Sequence, residues 1–251
     1  MKGSPYGWRG DYASWEEAKS RSGSYDAGRI LDKVKEASLK VRDHQAVYER
    51  DSVLFSKIEY SWPLLAAIMW IAAQKRGSLS VADFGGSLGS SYFQNRLYLD
   101  QLTSVKWWVI EQPHFVQCGN QYFSNDRLRF FESLDLCIDY GGIPDVLLLS
   151  CVLPYLEYPY EMLARMCQKR IPYILIDNTY FNYENRDRIC IQIVPQDIYE
   201  ASYPCWLLCR SHVIECLQSK YKILSEHKND AVIYVDGKKI NYEGFLASSI
   251  E

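Results

Sequence analysis

The stretch Val81-Ala82-Asp83-Phe84-Gly85-Gly86-Ser87-Leu88-Gly89 carries the densest chemical signal in the 251 residues. Apolar residues lead into it from Leu79, an acid follows, and three glycines fall within five positions. Leu88, Tyr92, Phe93, Leu97 and Leu102 then recur at roughly helical spacing, so the segment reads strand, tight turn, helix. Glycines suit such a turn because they adopt positive φ and let a ligand approach bare backbone. A phosphate loop is excluded, since it needs a Lys-Ser or Lys-Thr pair and no lysine occurs between Lys75 and Lys106. A dinucleotide turn wants G-x-G-x-x-G; counted from Gly85, Ser87 and Ser90 stand where its second and third glycines belong. Asp83 would also repel a pyrophosphate. A carboxylate there suits a ligand that carries positive charge.

A second acid strengthens the reading. Val105 to Ile110 (Val-Lys-Trp-Trp-Val-Ile) forms the next buried strand, and Glu111 closes it. An acid at the end of a second strand can accept both hydroxyls of a ribose. Glu111 follows Gly85 by 26 positions, further than the roughly 20 usual in the dinucleotide fold, so an extended connection is required; an exposed strand-end Glu is the plainer account. A ligand with a ribose at one end and cationic groups at the other fits S-adenosylmethionine, with its ammonium and sulfonium. D-x-G-G-x-x-G after a strand resembles motif I of class I methyltransferases.

The elements that position these residues follow from patterning. Apolar content of 48% is ample for a core, and a net charge of −3 gives no general attraction for nucleic acid. Lys33, Lys35, Lys40 and Arg42 lie on one helix with acids interleaved, the pattern of a solvated face. Ser14-x-x-Glu17 is a capping box for a short helix with Trp15 and Ala18, and Asp26 caps a second helix striped by Ile30, Val34, Ala37 and Val41. The apolar run Trp62 to Ala73 is too short to span a bilayer and reads as a buried helix, begun by Ser61 and Pro63 and ended before Gly77. From Leu79 onward strands and helices alternate, which implies a mostly parallel sheet. Its later strands are Leu128–Phe131, Asp145–Ser150 and Tyr173–Asp177, then Tyr221–Ser225 and Ala231–Val235 with an Asp236-Gly237 turn into Lys238–Tyr242. The expected fold is therefore α/β: a Rossmann-like, seven-stranded, mostly parallel sheet with an antiparallel terminal hairpin. Residues 1–78 are expected as a helical N-terminal cover on a single domain, 79–251 as its core, and 178–210 as an insert.

Eight cysteines contain no C-x-x-C pair. Cys205, Cys209 and His212 lack a second ligand pair at zinc spacing, so no metal is expected. With no secretory leader read at the start, the thiols fit a reduced cytoplasm.

Four segments extend the likeness. Asp83–Gly89, Val109-Ile110-Glu111-Gln112-Pro113, Leu149–Leu156 and Ala201–Trp206 together resemble a family of methyltransferases encoded among bacterial genes for surface polysaccharides (O-antigen or capsule). Gly7-Trp8-x-Gly10-x-Tyr12-x-x-Trp15 and Glu49-Arg50-Asp51-Ser52 look like that family too, so the match covers nearly the whole chain. The resemblance implies S-adenosyl-L-methionine as cofactor and S-adenosyl-L-homocysteine as product. It puts Asp83, Gly85, Gly86 and Gly89 around the methionine part, Glu111 on the ribose and Gln112 beside the adenine. Glu132 and Ser133 would meet the adenine amine, with a polar strand end as the alternative; Ser150 and Cys151 would lie beneath the sulfonium. The Asp/Asn-Pro-Pro-aromatic sequence of nucleic-acid amino-methyltransferases is absent here, which argues against a DNA base as acceptor. The implied acceptor is a sugar or glycan precursor, such as a nucleotide sugar or lipid-linked glycan, methylated on oxygen. Methylation of a small metabolite at carbon or nitrogen, or a catalytically inactive partner subunit, are the alternatives, and a homo-oligomer is compatible with either.

Methyl transfer is an in-line displacement in which alignment supplies roughly 7–11 kcal/mol and a base about 3–5 kcal/mol. Asp177, at the end of the fifth strand, is the expected base with Tyr155 orienting the acceptor; a loop-pinning carboxylate is the bland account of Asp177. His114, His212 and His227 are further conceivable bases, though each is more often a satisfied imidazole. Arg50 is expected to clamp the cofactor carboxylate or an anionic acceptor, with a surface salt bridge as its alternative. Twenty tyrosines and seven tryptophans offer ring faces for a sugar, although most are expected in the core.

Overall fold

The computed structural model describes residues 6–23, 27–195, 198 and 201–250; Asp26, the expected cap, lies outside them. In chain order the elements are β1 (Gly7–Tyr12), α1 (Trp15–Arg21), α2 (Ala27–Arg42), β2 (Tyr48–Arg50), β3 (Val53–Phe55), α3 (Trp62–Gln74) and β4 (Ser78–Phe84). They continue with α4 (Ser90–Leu99), β5 (Ser104–Ile110), α5 (Pro113–Tyr122), β6 (Leu128–Phe131), α6 (Leu134–Gly141) and β7 (Val146–Ser150). A 3₁₀ turn (Leu153–Tyr155) leads to α7 (Pro159–Gln168), β8 (Tyr173–Asn182), β9 (Arg188–Ile193) and β10 (Ser202–Cys209). The chain ends with α8 (Arg210–Gln218), β11 (Tyr221–Val235) and β12 (Lys238–Ser249). It divides into two compact units: the first comprises Met1–Ala27, Cys151–Arg170 and Ile176–Glu251, the second Gly28–Ser150 and Ile171–Leu175.

The second unit is the parallel part. β4 pairs in parallel with β5 on one side and β7 on the other, and β5 pairs with β6. Val146, Leu147, Leu148 and Leu149 of β7 are wholly buried, as expected of a strand covered on both faces. α3 packs on β4 and buries Leu64, Leu65, Ile68 and Ile71, so the apolar run at 62–73 is a core helix. Among the described residues no helix is long and apolar enough to cross a membrane.

The first unit departs from expectation. Its strands follow the order β10-β9-β1-β11-β12-β8, and β10 pairs again with β8 through Leu208↔Phe181 and Cys209↔Asn182, so the pairing returns to its starting strand. The N-terminal segment is thus more than a helical cover: β1 is a sheet strand, antiparallel to β9 with Trp8 opposite Gln192. Gly7 and Gly10 at φ +108 and +87 interrupt the period-two alternation that would have marked it. The insert 178–210 likewise becomes sheet. β8 runs on to Asn182, and β9 and β10 form an antiparallel pair with Cys190 opposite Cys205. The terminal hairpin is longer than its sequence suggests, because an irregularity between Lys228 and Val232 joins the two expected pieces of β11 into one strand.

Candidate cofactor site

Between β4 and α4 the backbone makes the turn that the glycines imply. Gly85 and Gly89 take φ +74 and +92, and Ser87 between them takes φ +54. The Gly85 amide donates to the Ile110 carbonyl at 2.9 Å and the Gly89 amide to the Gly86 carbonyl at 3.0 Å. Gly86 has negative φ but a different constraint: a Cβ there would stand 2.5 Å from Cγ and Oδ2 of Asp83. The acid before the loop is folded beneath it, 1% exposed, and Trp107 Nε1 donates to its Oδ2 at 2.9 Å. Burial pushes the Asp83 carboxyl up to about 7, and the Glu111 carboxylate acts the same way, against the Trp107 hydrogen bond. Asp83 therefore supports the loop floor, with Trp107 as a partner that pattern reading did not reveal.

Glu111 directly follows β5, and its amide donates to the Phe131 carbonyl at 3.0 Å. Its carboxylate reaches back to the loop: Oε1 accepts from the Ser87 amide at 3.2 Å and Oε2 from the Gln112 amide at 2.8 Å. Burial raises its pKa, and the two amides oppose the rise. Asp83, the three glycines and Glu111 are thus brought together. Gln112 is the N-cap residue of α5 and is exposed. Ser133 caps α6, its Oγ accepting from the Leu136 amide at 3.2 Å, while Glu132 is exposed. Ser150 ends β7. Arg50 is exposed with its guanidinium 5.8 Å from the Phe55 ring centre. Its neighbour Glu49 is turned inward and 2% exposed. Its Oε1 accepts from Ser90 Oγ, at the first position of α4, and from Ser38 Oγ of α2 at 3.3 Å.

Asp177 and Tyr155 lie in the first unit, in different hydrogen-bond networks. Asp177 is 0% exposed; its Oδ1 faces His227 Nε2 at 2.9 Å and its Oδ2 accepts from Asn178 Nδ2 at 2.9 Å. Asn229 Nδ2 in turn donates to Asn178 Oδ1 at 2.6 Å. Asn178 and Cys151 both sit at positive φ, +46 and +54, and the Cys151 amide donates to the Asp177 carbonyl at 3.0 Å. Such backbone outliers cluster at functional positions. Tyr155 belongs to an aromatic relay: its hydroxyl donates to Gln192 Oε1 at 2.7 Å and meets Tyr180 Oη, which accepts from Trp8 Nε1 at 2.9 Å. Burial holds both phenols well above 10, so they are neutral hydroxyls. Asp177, the expected base, is thus fully buried, and one of the side chains it faces is His227.

No family model and no curated protein sequence matches the chain. Solved structures do. The N-terminal domain of EvdMO1, crystallised in the presence of SAH and D-fucose, is 14% identical, with 91% of this chain and all of that one covered and a TM-score of 0.51. A SAM-dependent methyltransferase from Methanosarcina mazei is 12% identical over 75% of this chain and 98% of its own, also at 0.51. The chain has the fold of S-adenosylmethionine-dependent methyltransferases. The [4+2]-cyclase SpnF has it too, at 11% identity, TM-score 0.53 and coverage of 96% and 98%, so this methyltransferase fold fixes a chain path and leaves the reaction to the site residues.

Among the described residues no group of three His, Cys, Asp or Glu is placed to hold a metal ion. Cys205 Sγ donates to the Cys190 carbonyl, while the Cys209 amide and His212 Nδ1 both engage Asp187. The buried loop acid of this methyltransferase fold has a stability signature. Asp83 titrates near 7 when folded and near 3.9 unfolded, so between those values the folded chain holds the extra proton. Stability from this group is complete below about pH 4 and is lost as pH rises towards about 7. Asp83→Asn keeps an oxygen for Trp107 and removes the titration. Urea midpoints at pH 5 and pH 7.5 should differ less in the variant than in the wild type; an equal difference would remove Asp83 as the source.

Proposed function

We propose that the chain is a methyltransferase that takes the sulfonium methyl of S-adenosylmethionine and places it on a hydroxyl of a sugar or glycan precursor. The observation that carries the cofactor is the Glu111 carboxylate, held by the Ser87 and Gln112 amides against the glycine turn. A carboxylate gripped by two amides is fixed in place and still has lone pairs for two ribose hydroxyls. The loop acid lies below and Glu49 stands beside the helix start, so the turn is surrounded by carboxyl groups whose charged forms a sulfonium and an ammonium would stabilise and a pyrophosphate would not. Gly85, Gly86 and Gly89 give the ligand bare backbone, with Gln112, Glu132, Ser133, Ser150 and Cys151 in the supporting roles that the resemblance assigns.

For the acceptor, the resemblance to surface-polysaccharide methyltransferases supports a glycan, and the aromatic relay of Trp8, Tyr180 and Tyr155 provides ring faces and hydroxyls suited to one. The proton of the acceptor hydroxyl is read as passing to His227. In this reading Asp177 accepts from Nε2–H and the Nδ1 lone pair of His227 takes the proton. Transfer then breaks the methyl–sulfonium bond, forms the methyl–oxygen bond and leaves a neutral thioether.

Calorimetry with S-adenosylhomocysteine tests the cofactor reading. Glu111→Gln is expected to weaken binding about tenfold to a hundredfold, the loss of charge-assisted hydrogen bonds worth about 1.5–3 kcal/mol. Unchanged affinity, or binding of ATP or NAD in place of the thioether nucleoside, would overturn it. Radiolabelled methyl transfer into glycan, lipid and small-molecule fractions of cell extract then separates a sugar acceptor from a small metabolite, and no transfer to any fraction despite tight binding points to a catalytically inactive subunit.

A further inference from the structure

β2 and β3 form a tight hairpin, with Tyr48 opposite Phe55, Glu49 opposite Leu54 and Arg50 opposite Val53. Asp51 and Ser52 make its turn at φ +52 and +68. α4 packs against β2, which carries the Glu49 carboxylate to Ser90, the residue after Gly89. The Ser90 and Ser38 hydroxyls both meet Oε1. Oε2 is buried and makes no hydrogen bond, although the Ser52 amide lies near enough to favour the charged form. No lysine or arginine pairs with Glu49 among the described residues. Burial accordingly raises its pKa, and Asp51 adds to the rise. A carboxylate enclosed without a cation is strongly unfavourable, and one that gains a hydrogen-bonded partner is not.

We propose that Glu49 receives the α-ammonium group of the ligand's amino-acid end, so that the site selects nucleosides carrying a primary ammonium over those that lack it. The proposal rests on the reading of the glycine turn as the S-adenosylmethionine site and adds to it the residue that recognises the end remote from the ribose. An ammonium offers three donors to an acceptor with a vacant oxygen. Glu49 reaches the turn from outside the strand–turn–helix unit, on a hairpin more than thirty positions earlier in the chain. The ribose and ammonium contacts therefore come from separate chain segments, Glu111 and Glu49, and each can be removed without the other.

The experiment compares three probes by calorimetry on the full chain: S-adenosylhomocysteine, its analogue lacking the α-amino group, and 5′-methylthioadenosine, which lacks the amino acid altogether. Glu49→Gln keeps the shape and the hydroxyl partners. It is expected to weaken S-adenosylhomocysteine about tenfold or more while both ammonium-free probes keep their wild-type affinity within about twofold. Equal weakening of all three would mean a damaged turn, and no change in any would mean a protonated, structural Glu49; either result overturns the assignment. If the wild type binds S-adenosylhomocysteine and the deaminated analogue equally well, Glu49 loses its role while the cofactor reading stands. If it binds none of the three, both fall.

Discussion

Gly86→Ala is expected to abolish useful cofactor affinity and to lower the thermal midpoint in the same step. The added methyl would sit 2.5 Å from the Asp83 carboxylate, and that carboxylate has nowhere to retreat. Asp83 is buried, bonded to Trp107 Nε1, and Trp107 is itself 0% exposed in the core. Either the turn lifts or the Asp83–Trp107 pair is displaced. Overpacking of this kind costs about 1–3 kcal/mol, which for a chain of this size lowers the midpoint by several degrees. The effect on binding is larger, because lifting the turn moves the Ser87 amide that holds Glu111, and losing charge-assisted hydrogen bonds to the ribose costs about tenfold to a hundredfold in affinity. Differential scanning calorimetry and S-adenosylhomocysteine titration of the same sample check both parts. A variant that binds like the wild type would show that the turn is not the ligand floor.

Gly244→Ala is the second large effect, and it has a different origin. Gly244 stands opposite His227 in the β11–β12 pairing, and a Cβ there would come closer than 3.0 Å to both the His227 ring and the Ile176 carbonyl oxygen. A side chain can turn away, whereas a backbone oxygen in a neighbouring strand cannot. The sheet must therefore open locally, at about 3 kcal/mol or more, and His227 is pushed from Asp177. His227→Asn, measured beside it, separates the two consequences. It should remove methyl transfer and leave the thermal midpoint within a few degrees, whereas Gly244→Ala should lose both. Gly244→Ala with a wild-type midpoint would remove the steric argument; His227→Asn with wild-type transfer would remove His227 as the proton acceptor.

The glycine turn was legible because its constraints are local. Three glycines, an acid and the start of an amphipathic helix lie within a dozen positions, and conformational freedom, charge and periodicity all point to one turn. The buried strands at 105–110 and 145–150 were legible for the same reason, since a run of branched and aromatic residues states its own burial. β1 was missed because Gly7 and Gly10 break the alternation on which strand reading depends, and Trp8 alone does not supply a pattern. Arg50 carries the expected clamp because a cation suits a carboxylate-bearing ligand, and Glu49 beside it was assigned no role. Which of two adjacent strand residues faces inward is set by the hairpin's docking on α4.

What the sequence determined by itself is a turn chemistry: a glycine-floored loop led by an acid, a second acid at the next strand end, and a fold class of alternating strands and helices. Those follow from steric and hydrophobic rules that act over a few residues. The tertiary structure alone decided what surrounds each acid. Asp83 is folded under the loop and held by Trp107, Asp177 is enclosed behind His227, and Glu49 arrives from a distant hairpin with one oxygen unclaimed. The role of a carboxylate depends on its desolvation and on which donors stand within about 3 Å, and in each of these cases the deciding neighbour lies more than twenty positions away in the chain.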